Sequence, residues 1–165
     1  MADQLYSGCA LRVLVLVDNF SRESQAIRAG VSLKGQDVVE VLNQLVKERG
    51  APLSIRVDNG TEFTSAVLDQ WAYWNKVTLD FSRPGKPTDN AMIESFNSRL
   101  RQECLNEHWF LSVADAQEKL DAWRMDYNGH RPHSSLGNLS PEEFVRLQES
   151  EQDRVQPEAI LCLSG

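Results

Sequence analysis

Two acids stand at places in this chain where a carboxylate can do chemistry. Asp58 closes a strand-like run, Ile55-Arg56-Val57, just before the turn pair Asn59-Gly60. Glu94 falls near the start of a helical stretch, Ala91 to Leu105, that follows the loop-like segment "SRPGKPTDN", Ser82 to Asn90. Thirty-five residues lie between the two acids, room for one helix and one strand, so the chain can return to the same edge of a sheet. Open α/β sheets keep their sites at that carboxyl edge. Carboxylates converging there repel unless a cation sits between them. Hard divalent ions such as Mg²⁺ take oxygen ligands and are often held by one or two carboxylates plus substrate phosphate. Such a pair suits phosphoryl transfer, where one metal activates the attacking oxygen and another steadies the leaving one. Each acid also has an ordinary reading. Asp58 is a turn former beside Asn59-Gly60, and Glu94 complements the positive end of a helix. The two residues alone leave both readings open.

The elements that must position these acids follow from periodicity. "LRVLVLV", Leu11 to Val17, reads as a buried strand, with Ser24 to Val31 as its hairpin partner. Gln36 to Arg49 has helical spacing through Val38, Val41, Leu42, Leu45 and Val46, and Gly50 and Pro52 stop it. Leu53 to Val57 is a short strand. Thr64 to Asn75 is a helix with Val67, Leu68, Trp71 and Trp74 inward, and Val77 to Phe81 is a strand. The stretch around Glu94 buries Ile93, Phe96 and Leu100. Further helices run from Val113 to Tyr127 and from the cap Ser140-Pro141-Glu142-Glu143 onward. The last dozen residues read as a frayed or loosely packed tail. Strands alternating with helices make an α/β chain with a parallel portion from Leu53 onward.

Composition narrows the function classes. The chain has 165 residues, enough for one domain, with 41% hydrophobic and 25% charged residues. No apolar run approaches the roughly 20 residues of a membrane helix. Three scattered cysteines, Cys9, Cys104 and Cys162, argue against a disulfide framework and for a reducing compartment. The formal net charge of −7 weighs against a uniformly basic nucleic-acid binder. The acids crowd the end of the chain from Glu142, whereas Arg83 to Arg101 holds Arg83, Lys86, Arg99 and Arg101 against Asp89 and Glu94. A local basic surface can therefore lie beside the acidic centre. His130 and His133 in "GHRPHSS" lack a fourth ligand at zinc spacing. The tryptophans, Trp71, Trp74, Trp109 and Trp123, sit at helix-compatible positions that suit the core. A two-carboxylate glycosidase has little beyond these tryptophans to support it.

Four longer words carry more. "VDNFSRE" (17–23), "RVDNGTEF" (56–63), "RPGKPTDNAMIESFNSRLRQECLNEHWF" (83–110) and "YNGHRPHSSLGNLSPEEF" (127–144) closely resemble the catalytic core of DDE-type insertion-sequence transposases. That core is similar to the retroviral integrase core and has the ribonuclease H-like fold, here expected as a mixed sheet flanked by helices and missing its first strand. The core is expected over residues 1–149, with a tail over 150–165. The resemblance implies DNA strand cleavage and transfer by two divalent metals, Mg²⁺ or Mn²⁺, held by two aspartates and a glutamate. It further implies DNA partners (element ends and target), a homo-oligomer, a bacterial cytoplasmic, nucleoid-associated setting, no membrane and no small-molecule cofactor.

Carried over by residue, Asp58 matches the second aspartate and Glu94 the glutamate. Arg101, seven residues past Glu94 and so on the same helix face, matches a basic residue expected to hold phosphate. Lys86 lies in the loop that approaches DNA in the family. Asn59 and Asn97 are candidates for the same cleft or for local hydrogen bonds, and Arg131 is a candidate contact to backbone phosphate. The first aspartate would fall just upstream of Met1. Asp3 matches a lesser acid after it, and Asp18 is better read as a turn residue. The chain is thus expected to hold two of three ligands, as a remnant or as a product cut from a longer one. The neighbouring edge would then be open to pairing with another chain. A non-catalytic module for DNA binding or oligomerisation is the alternative.

Overall fold

A computed structural model of the chain describes residues 1–58, 60, 63–83, 90–151 and 160–164. Its sheet, six-stranded among these residues, comprises β1 (Ala2–Gln4), β2 (Ala10–Asp18), β3 (Ser24–Gly30), β4 (Ser54–Val57), β5 (Thr78–Phe81) and β6 (Ile160–Ser164). The helices are α1 (Gly35–Arg49), α2 (Ala66–Asn75), α3 (Ala91–Leu100), α4 (Val113–His130) and α5 (Pro141–Glu151). A π-turn, Arg101–Leu105, continues α3, and a 3₁₀ turn, Ser134–Leu136, precedes α5.

The strand alternation of β2 explains the layers. Leu11, Val13, Val15 and Val17 join a core on one face with Ile93, Phe96 and Leu100 of α3 and Leu120 and Trp123 of α4. Leu14 and Leu16 point the other way, into a core with Val38 and Leu42 of α1 and Leu68 and Trp71 of α2. Apolar residues on both faces give the continuous run "LRVLVLV", which a half-solvated strand would not show. In α2, Leu68 and Trp71 are buried as the spacing predicts, but Val67 is 41% and Trp74 is 73% exposed. Trp109 is also exposed, at 75%, so only Trp71 and Trp123 serve the core.

The pairing of β2 holds the main departure from expectation. Arg12 pairs with both Ala2 and Gly30, and Val15 pairs with both Ile27 and Ser164, so β3 takes one edge of β2 while β1 and β6 share the other. Both run antiparallel to β2. Ser164 lies opposite Val15, and Met1 brackets Val13 through bonds of 2.9 Å to its N–H and 2.7 Å to its carbonyl. Thus β6 and then β1 make one row from the two ends of the chain. On its far side β6 pairs in parallel with β4, Cys162 opposite Arg56 and Leu163 opposite Val57. The tail read as loose therefore supplies an internal strand. The edge expected to be open to another chain is occupied by β6, because β2 and β4 both have backbone groups to satisfy there.

Leu163 is 2% exposed in the core beneath α1 and α2. Leu163→Ala is expected to lower unfolding free energy by about 2–5 kcal/mol in urea titration. Val67→Ala, on the exposed side of α2, is expected to change it by about 0.5 kcal/mol or less.

Candidate active site

Parallel pairing of β4 with β5, Val57 opposite Phe81, brings both strands to one carboxyl edge. Val57 is fully buried and anchors the strand end, and Asp58 follows it, half-buried. One Asp58 carboxylate oxygen accepts the Gly60 N–H at 3.0 Å. This is the turn bond expected of an aspartate before Asn-Gly.

Ser82 carries the edge across to α3. It directly follows β5, is 7% exposed, and donates its N–H to the Val57 carbonyl at 3.1 Å. Its hydroxyl lies 2.5 Å from Asn90 Oδ1 and 3.1 Å from the same Val57 carbonyl. Asn90 stands at the N-cap of α3 but turns its side chain to Ser82 instead of capping the helix. Its backbone carbonyl accepts the Glu94 N–H at 2.9 Å. One buried serine thus ties the residue before Asp58 to the residue one helical turn before Glu94. Glu94 itself is exposed in the first turns of α3, whose Ile93, Phe96 and Leu100 face the core. Neither Ser82 nor Asn90 was singled out from the sequence. A serine just past a strand and an asparagine just before an apolar helix are the available signals.

The other candidates are placed as follows. Asn97 is half-buried, three residues past Glu94. Arg101 donates to the Ala2 carbonyl at 2.8 Å and lies 3.7 Å from Asp3, so its guanidinium reaches β1. Arg131 is gripped by Glu103 and Asp126 and lies over the Trp123 ring. Asn59 and Lys86 lie outside the described residues. Asp18 accepts the Phe20 N–H at 2.9 Å and the Ser21 hydroxyl at 2.7 Å, which makes it the turn residue of the β2–β3 hairpin.

The donor chemistry fits a hard divalent cation in kind, since carboxylate oxygens are its preferred ligands. Among the described residues, however, no cluster of three His, Cys, Asp or Glu side chains is placed to hold a metal. The strand beside β4 is β6, "ILCLS", which has no carboxyl group. Its Cys162 is no substitute: burial pushes the thiol up to about 11, so it stays protonated and hard-cation chemistry does not favour it.

Comparison with known proteins identifies the family and the fold. The family described as "Integrase core domain" matches residues 3–87, and a second family of the same description matches residues 75–141. The insertion element IS407 uncharacterized 31.7 kDa protein of Burkholderia multivorans is 46% identical over 151 residues, covering 92% of this chain and 54% of that protein. The transposase for insertion sequence element IS904 of Lactococcus lactis is 32% identical over 141 residues, covering 82% and 55%. The chain therefore spans about half the length of these curated relatives. In structure, the catalytic core domain of BIV integrase matches with a TM-score of 0.66 at 16% identity, covering 92% of this chain and 94% of that one. A chain of the simian T-cell lymphotropic virus intasome bound to PP2A regulatory subunit B56 gamma matches at 0.74 and 15%, covering 96% and 54%. The fold is the ribonuclease H-like fold of retroviral integrase cores.

Ser82→Ala is expected to cost about 1–3 kcal/mol in urea unfolding, because the mutation removes a buried hydroxyl and unpartners Asn90. It should also speed amide exchange in the first turn of α3 more than in α4. Burial raises Cys104 as well to about 11, while Cys9 is exposed. One thiol should therefore react with a disulfide reagent at pH 8 in the folded chain, and three after unfolding. Rapid native labelling of Cys162 would contradict its place in the sheet.

Proposed function

This chain belongs to the integrase core domain family, and from that premise we propose that it is the phosphoryl-transfer core of a DNA transposition protein, cleaving and joining DNA strands. The single observation that carries the reading is the Ser82 tie between the ends of β4 and β5 and the start of α3. It sets the two elements bearing Asp58 and Glu94 at one sheet edge. Asp58 and Glu94 are the residues that would hold Mg²⁺ or Mn²⁺, and the metal would supply activation of the attacking oxygen and neutralisation of developing charge. The chain's own residues then orient the strand. Arg101, Lys86, Arg131, Asn59 and Asn97 are assigned to DNA phosphate and base contacts, Arg101 and Arg131 by exchanging the β1 and carboxylate partners they hold in the free chain for phosphate. Positioning matters as much as ligation, since misplacement by about 1 Å can cost on the order of 10²-fold in rate. DNA is the partner, and a second copy of the chain is the assembly this class of reaction uses to bring two ends together.

A second reading is favoured by one specific observation: the strand between β2 and β4 has no carboxyl group. With two acidic ligands the chain would bind DNA and leave it intact. The two readings separate in one assay. Under the first, Mn²⁺ supports nicking of end-labelled DNA, and Asp58→Asn or Glu94→Gln lowers the rate at least 10²-fold while leaving DNA affinity within about threefold. Salt-sensitive DNA binding with no nicking at any Mn²⁺ concentration selects the second.

A further inference from the structure

Beside α3 lies an open pocket of about 350 Å³ whose polar lining is Arg22, Ser95, Arg99, His133, Ser134 and Ser135. Three separate parts of the chain build it. Arg22 comes from the β2–β3 turn, where it takes a left-handed conformation at φ 61°. Ser95 and Arg99 are successive turns of α3. His133, Ser134 and Ser135 come from the 3₁₀ turn after α4. Among the described residues, no Asp or Glu lines the pocket.

The two arginines differ from the others nearby. Arg131 is taken up by Glu103 and Asp126, and Arg101 by β1. Among the described residues, Arg22 makes no ion pair and bonds to Asn19 Oδ1 at 3.1 Å, and Arg99 makes no side-chain ion pair. In a chain of net charge −7 with 24 acids, two guanidinium groups in one pocket with no ion pair among the described residues are a local reversal of sign. His133 adds a third polar group. Its ring meets Tyr127 edge-on at 5.1 Å, and its Nε2 has no hydrogen-bond partner among the described residues. Burial, then the positive charges of Arg99, Arg22 and Arg131, hold the imidazole below its ordinary pKa. An anion seated among these groups would relieve that mutual repulsion.

We infer that this pocket is a phosphate subsite for a DNA strand, with Arg22 and Arg99 binding one phosphodiester and the hydroxyls of Ser95, Ser134 and Ser135 completing its hydrogen bonds. The assignment rests on the DNA reading above and adds a place to it. Arginine suits the role because its planar fork matches phosphate oxygens in pairs, and serine hydroxyls are common phosphate contacts. The position suits it too. Arg99 is five residues past Glu94, about 7.5 Å along the helix at 1.5 Å per residue, so a strand held here passes within two helical turns of Glu94. The "HRPHSSLG" segment thereby acquires a function through His133, Ser134 and Ser135 in addition to the packing of Arg131.

Two measurements on the full chain test it. Inorganic phosphate is titrated while the His133 ring signals are followed by NMR, and fluorescence anisotropy with a labelled DNA duplex is recorded across salt concentrations. Phosphate is expected to shift the His133 signals saturably and raise the pKa of that ring, and Arg99→Ala to weaken this response at least tenfold. The slope of log K against log salt is expected to fall by about 0.9 to 1.8 in the Arg22→Ala/Arg99→Ala double variant, one to two phosphate contacts' worth. Arg28→Ala, which removes an exposed charge on β3, is expected to leave it unchanged. Circular dichroism melts confirm that the variants fold. If phosphate leaves His133 unmoved, or the double variant keeps the full slope while the unmodified chain binds DNA, the subsite is overturned and the DNA reading stands. If phosphate moves His133 but the chain binds no DNA, the pocket takes small anions and its assignment to a DNA strand is overturned.

Discussion

An internal β-strand needs hydrogen-bond partners on both edges, and in this fold that requirement is met at one narrow place. Among the described residues, β6 is what joins the antiparallel group β1, β2 and β3 to the parallel pair β4 and β5. The hydrophobic layers depend on the same join. Cys162 enters the core under α3 and α4, and Leu163 enters the core under α1 and α2. The carboxyl edge of β4, with Asp58 beyond it, is therefore set against β2 through a strand from the far end of the chain. β6 and β1 together line the edge of β2, so the row is continuous although the backbone within it is not.

The site inherits its virtues and its limits from this arrangement. Ser82 and Asn90 fix the start of α3 against the ends of β4 and β5 by buried polar contacts, which are geometrically demanding and hence good at setting position. The strand nearest to Asp58 across the sheet, however, brings a buried thiol and aliphatic side chains. Under the proposed reading, an ion held there by Asp58 and Glu94 would leave more of its coordination shell to water and phosphate than one held by three acids. The basic groups are divided in the same spirit. Arg101 and Arg131 are committed to intramolecular carbonyl and carboxylate partners, whereas Arg22 and Arg99 face a common pocket.

Much of this was legible in the sequence because it is local or periodic. The two-sided apolar run of β2, the stripe of α1 and the capping signal at Ser140 each fix an element with little help from tertiary context. The expected cap is present and takes the form of a capping box, with the Ser140 N–H bonded to Glu143 at 2.8 Å and the Glu143 N–H to Ser140 Oγ at 3.3 Å. The helix and strand expected between Asp58 and Glu94 are present as α2 and β5, and β5 runs parallel to β4. What escaped was non-local. Nothing in "ILCLS" says that it pairs with Val15 to Asp18, more than 140 residues earlier, because short apolar runs fit a tail as well as a strand. The exposure of Trp74 and Trp109 escaped for a related reason: helical spacing gives a face, and only packing decides which part of that face is covered. The helix that periodicity continues to Leu105 does run that far, but from Arg101 it winds as a π-turn, which the spacing does not announce.

The central claim is that Asp58 and Glu94 act together on one divalent ion at the edge that Ser82 holds closed. Crystals of the chain soaked in Mn²⁺ and measured at the manganese edge test it most directly. The account predicts an anomalous peak within ligand distance of both carboxylates, lost in crystals of Asp58→Asn. No peak there at saturating Mn²⁺, or a peak bound by one carboxylate with the other turned away, would contradict it.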